Sequence, residues 1–314
     1  MKKLLVILSC LFVSFLFIET ALSKEQILTI LPQDKIKNLQ EHSADINGVR
    51  VAWTEVGDPE GVPVLMLMGW ISSYQVWGDS MVFGLSKPGY RIILMDNRDV
   101  GGSEKFDHLG EPYVWWNVIK FALGLEVNAR YTLRDMANDA VGLLDHLDIQ
   151  KAHVVGISMG AMIAQVLVAE NPERSLSLIS LMSSTAAPHL PKASSEARKL
   201  AGELLNPDEP LVQKLHELGI YPEAARRQLI AMIDAGDLSE TVKKINVKTL
   251  VIHGADDIFL ALPHGEHVAK LIHNSKLVVF PGMNHCLPEP LVPEILEVMI
   301  SHLESVDIKQ ATRR

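Results

Sequence analysis

The apolar positions of the chain follow two rhythms. Short runs at residues 62–68, 91–95, 152–157, 176–182, 249–253 and 276–280 are apolar almost throughout and end in turn-forming residues. Runs of that length mark strands covered on both faces. Between them the spacing changes to three and four. Leu133, Met136, Ala140, Val141, Leu144 and Leu147 form one helical stripe, and Leu291, Ile295, Val298, Met299 and Leu303 form another. Such alternation predicts a mostly parallel sheet with helices on both faces. Ahead of it, Asn47-Gly48 separates two short alternating segments over residues 44–56, so the fold is expected to open with an antiparallel hairpin.

From residue 183 to 245 the strand pattern stops. Pro188, Pro191, Pro207, Pro210 and Pro222 punctuate short amphipathic pieces such as residues 193–205 and 224–235. This stretch is expected to be a small helical cap over the carboxyl edge of the sheet, where open α/β sheets bind ligands. The chain start also stands apart. Lys2 and Lys3 precede an apolar run of fifteen residues, 4–18, followed by Glu19, Thr20 and the small residues Ala21 and Ser23. The run is shorter than the roughly 20 residues that span a bilayer. Its layout is that of a secretory signal peptide cleaved before Lys24. The expected location is the periplasm or the exterior, with an uncleaved membrane anchor as the alternative. The organisation read from the pattern is therefore a signal peptide or anchor at 1–23, a core in two parts at 24–182 and 246–314, and the cap at 183–245.

Composition narrows the partners. With 48% hydrophobic and 21% charged residues in 314, the chain can bury the core of one domain with an insertion. A net charge of −9 without a dense Lys/Arg run argues against nucleic acid or an anionic membrane surface as the main partner. A small neutral or modestly polar molecule fits better, and membrane contact is expected only if residues 1–23 are retained. Nothing in the pattern sets an oligomeric state. Cys10 and Cys286 are the only cysteines, so cleavage would leave a single thiol and no internal disulfide. No Cys/His cluster has zinc spacing, and no Walker loop or Gly-x-Gly-x-x-Gly follows a strand, so no metal or cofactor is expected. Trp70, Trp77, Trp115 and Trp116 are candidates either for an apolar pocket or for core packing.

The chemistry concentrates at Gly156-Ile157-Ser158-Met159-Gly160, where a strand-like run ends and a helix-like run begins. A serine on such a sharp turn is lifted clear of the sheet, and glycines on either side allow strand and helix to pass closely. A serine hydroxyl needs a base to take its proton and a carboxylate to orient that base. Asp257, past the run 249–253, and His285, past the run 276–280, supply both at the same sheet edge. Asp256 is the alternative carboxylate. His153 and His253 lie inside strand runs and read as structural groups. An oxyanion also needs donors; the backbone N–H groups of Met159 and of Trp70, just after the run 62–68, are the candidates.

These segments carry a resemblance. Residues 65–69 (ending Met68-Gly69), Asp96-Asn97-Arg98 through Gly101-Gly102-Ser103, the elbow extended to Gln165, Gly254-Ala255-Asp256-Asp257 and Gly282-Met283-Asn284-His285 are similar to the matching loops of α/β-hydrolase-fold serine hydrolases. The resemblance covers roughly residues 42–304 and is nearest to the branch of aclacinomycin methylesterase. It implies an eight-stranded α/β-hydrolase fold with a small cap. It further implies Ser158 as nucleophile, Asp257 as acid, His285 as base, and Trp70 and Met159 as oxyanion donors acting on a small ester. The turn at 96–103 is implied to be a structural loop beside the oxyanion site. Two departures stand out: Ile71-Ser72 replaces the family's usual second glycine, and the cap is short. Both regions shape the substrate pockets, so the reaction class carries over and the polyketide substrate does not. A proline iminopeptidase-like amidase, a thioesterase, a carbon–carbon bond hydrolase and a catalytically silent binding protein remain the alternatives on this fold. An aspartate-elbow dehalogenase or epoxide hydrolase is disfavoured by Ser158.

Overall fold

The computed structural model describes residues 31–311. The leader expected at 1–23, the cleavage expected before Lys24, and Cys10 lie outside the described residues. Among the described residues no helix is long and apolar enough to cross a membrane.

Eight strands form one sheet: β1 (His42–Ile46), β2 (Val49–Gly57), β3 (Pro63–Leu67), β4 (Arg91–Met95), β5 (Ala152–Ile157), β6 (Ser175–Leu181), β7 (Lys248–Gly254) and β8 (Ser275–Phe280). Their spatial order is β1-β2-β4-β3-β5-β6-β7-β8. β2 runs antiparallel to both β1 and β4, and every other pairing is parallel. The opening hairpin turns through Asn47 and Gly48, both at positive φ (55° and 78°), as a tight two-residue turn requires. The strands expected from the apolar runs therefore form.

The helices are α1 (Asp79–Ser86), α2 (Val114–Ala122), α3 (Leu133–His146), α4 (Met159–Glu170), α5 (Ser195–Leu205), α6 (Glu209–Glu217), α7 (Ala225–Ala235), α8 (Ser239–Val242), α9 (Pro263–Leu271) and α10 (Val292–Ala311). Because side chains alternate along a strand, each sheet face receives its own core. Leu65, Leu67, Ile93, Met95 and Val154 face one way, onto α3 and α4. Val64, Met66, Ile92, Leu94 and Val155 face the other, onto α1 and α10. α3 starts at a capping box in which Thr132 and Asp135 exchange side-chain to backbone bonds, so its first turn is satisfied without solvent. Truncating a fully buried residue such as Leu65 to Ala in this double core would cost about 2–5 kcal/mol.

All regular structure between β6 and β7 is helical, α5 to α8. A small third cluster, with Ile71, Val100, Leu215, Ile220 and Ala225, packs these helices onto the sheet edge. The attachment is also a hydrogen-bonded seam: Tyr221 N–H donates to Ile71 O (2.7 Å), Ser73 N–H donates to Gly219 O (2.8 Å), and Ser72 and Ile220 form an isolated antiparallel bridge. Two features differ from the sequence reading. α2, between β4 and α3, packs against the cap helix α7, so residues outside 183–245 contribute to that side. It is a short helix whose one buried side chain is the polar Asn117, so its apolar stripe does not read as a core-facing one. The tryptophans also divide. Trp77 is fully buried, and Trp70 is partly buried. Trp115 and Trp116 are 60% and 47% exposed, so they do not belong to the core.

Candidate active site

The turn from β5 into α4 puts Ser158 at φ 53° and ψ −121°. A non-glycine residue rarely adopts this conformation, and it persists only where the surroundings enforce it. Here Ser158 N–H donates to Leu181 O of β6 (2.9 Å), and Ser158 O accepts from Ala161 N, Met162 N and the Ser183 hydroxyl. The flanking glycines are sterically required. A Cβ on Gly156 would sit 2.4 Å from Gly160 O, and one on Gly160 would sit 2.2 Å from Leu67 O.

The expected partners converge on Ser158. His285 Nε2 lies 2.9 Å from Ser158 Oγ, and His285 Nδ1 lies 2.6 Å from Asp257 Oδ2. Asp257 Oδ1 accepts from the N–H groups of Phe259 (2.9 Å) and Leu260 (2.8 Å), which fix the carboxylate in plane. A carboxylate at Nδ1 takes the N–H, leaving Nε2 to accept the serine proton. Asp257 has no exposed side-chain surface, whereas the His285 ring is 17% exposed, so the relay opens to solvent only at its serine end. Asp256 is exposed, and its described bond is a backbone one to Met283 O; Asp257 is the carboxylate that meets His285.

The remaining histidines sit apart in role. His153 is buried between Ser177 Oγ (2.7 Å) and Asp307 Oδ1 (3.1 Å). His253 Nε2 is 2.6 Å from Leu260 O and 3.7 Å from Asp257 Oδ2. Burial holds the His253 imidazole below its usual range, so a neutral ring fills the space behind Asp257.

Two backbone donors border the serine. Met159 N–H opens α4, where the helix has no acceptor for its first amides. The β3 loop passes so close that a Cβ on Gly69 would lie 3.3 Å from Ser158 Cβ, which brings Trp70 alongside. Among the described residues neither N–H has a protein acceptor. The Trp70 indole is anchored by its Nε1–H to Ala225 O of α7 (3.0 Å).

Three residues hold the site in ways the sequence reading did not assign. Asn284 Oδ1 accepts from His285 N–H (2.7 Å) and Ile258 N–H (3.1 Å), joining the histidine and aspartate loops. Ile71 adopts φ 53°, and its N–H donates to Gln228 Oε1 of α7 (2.7 Å). Gln228, fully buried, also donates from Nε2 to Arg98 O (3.3 Å). Its one legible signal is a polar residue amid the buried positions Ala225, Ile230 and Ala231.

The turn at 96–103 is a hydrogen-bonded brace. Asp96 accepts from Tyr74 N–H and Gly102 N–H (2.8 Å each), and complete burial pushes its carboxyl up to about 7 against the pull of those donors. Arg98 forks onto Asp139 with two 2.7 Å bonds. Asp99 receives Tyr131 Oη–H (2.6 Å) and both Nε and Nη2 of Arg227 (2.6 and 3.0 Å), tying α7 to the same turn.

Comparison with known proteins agrees with this architecture. Residues 62–205 match the family described as alpha/beta hydrolase fold. The chain is 28% identical over 294 residues to rhodomycin D methylesterase DauP of Streptomyces sp. (strain C5), covering 77% of this chain and 93% of the relative. It is 29% identical over 275 residues to the 2-hydroxy-6-oxo-6-phenylhexa-2,4-dienoate hydrolase of Comamonas testosteroni, covering 77% and 86%. The solved structure of an esterase from Exiguobacterium antarcticum aligns with TM-score 0.66 at 21% identity, over 83% of this chain and 98% of that one, a likeness of fold.

Proposed function

We propose that this chain, which has the α/β-hydrolase fold, is an enzyme that cleaves a carboxylic ester of a small apolar substrate through an acyl-enzyme. One observation carries the reading: an unbroken hydrogen-bonded relay from Asp257 through His285 to Ser158 Oγ, beside two backbone N–H groups that have no acceptor among the described residues. Similarity to a protein named a methylesterase supports the ester as substrate class.

In this mechanism Ser158 Oγ attacks the ester carbonyl carbon as His285 Nε2 takes its proton. Asp257 holds Nδ1–H and stabilises the imidazolium. The tetrahedral oxyanion is met by Met159 N–H and Trp70 N–H. Collapse breaks the bond to the alkoxy oxygen, which leaves as the alcohol with the proton from Nε2. Water then repeats the sequence: His285 takes its proton, hydroxide adds to the acyl carbon, and Ser158 departs reprotonated with the carboxylic acid released. The strained Ser158 backbone is part of the design, because it keeps Oγ aimed away from the sheet.

The test is hydrolysis of p-nitrophenyl butyrate together with labelling by a fluorophosphonate. Ser158→Ala should lower kcat by about a factor of 10⁴ to 10⁶ and abolish labelling. Full activity in that variant would remove Ser158 from the mechanism. In a parallel panel of ester, thioester and aminoacyl amide substrates, dominant amide cleavage would overturn the ester assignment.

A further inference from the structure

We propose that α2 and the segments flanking it form a docking surface for a phospholipid bilayer, which the enzyme engages by inserting aromatic side chains beside its cap. Nine large hydrophobic side chains are exposed among the described residues, and eight of them fall between Leu109 and Leu125. Scattered exposed apolar residues are ordinary; their concentration in one short segment is not. Tyr113 is 74% exposed, Trp115 60%, Leu123 57% and Trp116 47%, with Phe121 and Ile119 beside them. The roll of the helix is set from its inner side. Buried Asn117 donates from Nδ2 to Tyr113 O (3.0 Å) and accepts from Asn128 N–H through Oδ1 (2.7 Å). At about 100° per residue, that orientation turns Trp115, Trp116, Ile119 and Leu123 together toward the outside.

The chemistry of the patch suits a lipid interface. Trp and Tyr are the side chains that settle at the headgroup level of bilayers, and Lys120, in the last turn of α2, places a cation beside them. The net charge of −9 excludes a purely electrostatic attraction to anionic lipid, so insertion of apolar surface is the driving term. The chain outside the described residues points the same way. Its apolar run at 4–18 is separated from Leu31 by twelve residues, which reach about 40 Å at most when fully extended. The described chain begins on the cap: Gln33 Nε2 donates to Leu218 O (3.3 Å), and Lys37 Nζ donates to Glu217 O (2.6 Å). A bilayer that accepted residues 4–18 would therefore lie within that distance of the cap on which α2 packs.

The position also serves the chemistry. α2 packs on α7, and α7 touches the loop beside Ser158 through Ala225 and Gln228. A docked enzyme would present its cap to the phase in which apolar esters dissolve. This last clause rests on the ester reading; the docking itself does not.

The test uses the full chain with phosphatidylcholine vesicles carrying brominated acyl chains, which quench tryptophan only on contact with the hydrocarbon. Residues 1–30 contain no tryptophan, so the signal comes from the folded part, where Trp53 and Trp77 are buried. Quenching is expected in the wild type, and most of it should disappear in Trp115→Phe/Trp116→Phe. Trp115→Ser/Trp116→Ser should lose hydrolysis of a vesicle-borne ester while keeping the wild-type rate on dissolved p-nitrophenyl acetate. Absent quenching, or quenching unchanged in the Phe variant, overturns the proposal. So does a lipid-free dimer that the Ser variant splits into monomers, because the patch would then be a subunit interface. Loss of both ester activities in the wild type, with quenching intact, would sink the ester reading alone.

Discussion

Replacing Gln228 by Leu should lower both stability and turnover, in amounts the local geometry sets. Leucine is close to glutamine in size but makes neither hydrogen bond. The Ile71 N–H, bonded at 2.7 Å and buried, is left without an acceptor, at about 1–3 kcal/mol. The second bond, 3.3 Å to Arg98 O, lies at the long end of the geometric range, and its loss adds about 0.5 kcal/mol. Denaturation in urea should therefore show a loss of roughly 2–3 kcal/mol with unchanged m. The kinetic effect follows from strain. Ile71 is β-branched yet sits at φ 53°, a conformation that costs on the order of 1–3 kcal/mol and is held by Gln228 on one side and Tyr221 on the other. With one clamp gone the loop relaxes and carries Trp70 N–H out of line. A lost oxyanion donor costs about 10² to 10³ in kcat, so a displaced one should cost about 10-fold or more, with little change in KM. A stability loss with wild-type kcat would refute the link between Gln228 and catalysis. Wild-type stability would refute the hydrogen bond itself.

Two further outcomes probe the frame around the site. Arg227→Met strands Asp99, whose side chain is fully buried, and should cost about 3–5 kcal/mol in urea; Asp99→Asn/Arg227→Met should recover most of it, and additive losses would rule out the coupling. His302 is buried with no partner for Nε2 among the described residues, and burial, reinforced by Lys248, pushes its pKa down to about 4. The unfolded chain takes up this proton below about 6.5, so the stability His302 contributes is present above that pH and is lost as the pH falls to about 4. His302→Phe should flatten the stability–pH curve in that window by on the order of 3 kcal/mol relative to wild type, measured by urea melts; parallel curves would contradict the assignment.

The strands and the relay were legible because both are local in pattern. Each of β3 to β8 is built on a mainly apolar run, and Ser158, Asp257 and His285 each sit past the end of one. What escaped was set by contacts between distant segments. The bond from Ile71 to Gln228 joins residues 157 positions apart, and the pair Asp99–Arg227 spans 128. Nothing in an isoleucine codon position announces a left-handed backbone; propensity argues against it, and only the cap enforces it. α2 was missed for the opposite reason. Its apolar stripe is as marked as that of α3 but is turned outward, its one buried side chain being the polar Asn117, so it does not read as a core-facing element.

The seam between cap and sheet edge bears on how substrate specificity and rate are linked here. Tyr221, Gly219 and Gln228 bond the loop that carries Trp70, and Arg227 bonds the turn that carries Asp99. The cap is thus not a lid laid over a finished site. On the proposed mechanism it completes the fixing of one oxyanion donor, while the other, Met159, opens α4 at the sheet edge. Where the family's usual glycine would let this loop turn without strain, Ile71 makes the turn depend on α7. A change in the cap that reshapes the substrate pocket therefore also moves a group that acts in the transition state. If the proposed mechanism holds, selectivity and turnover should vary together in cap variants, and the turn at Ile71 is the physical reason.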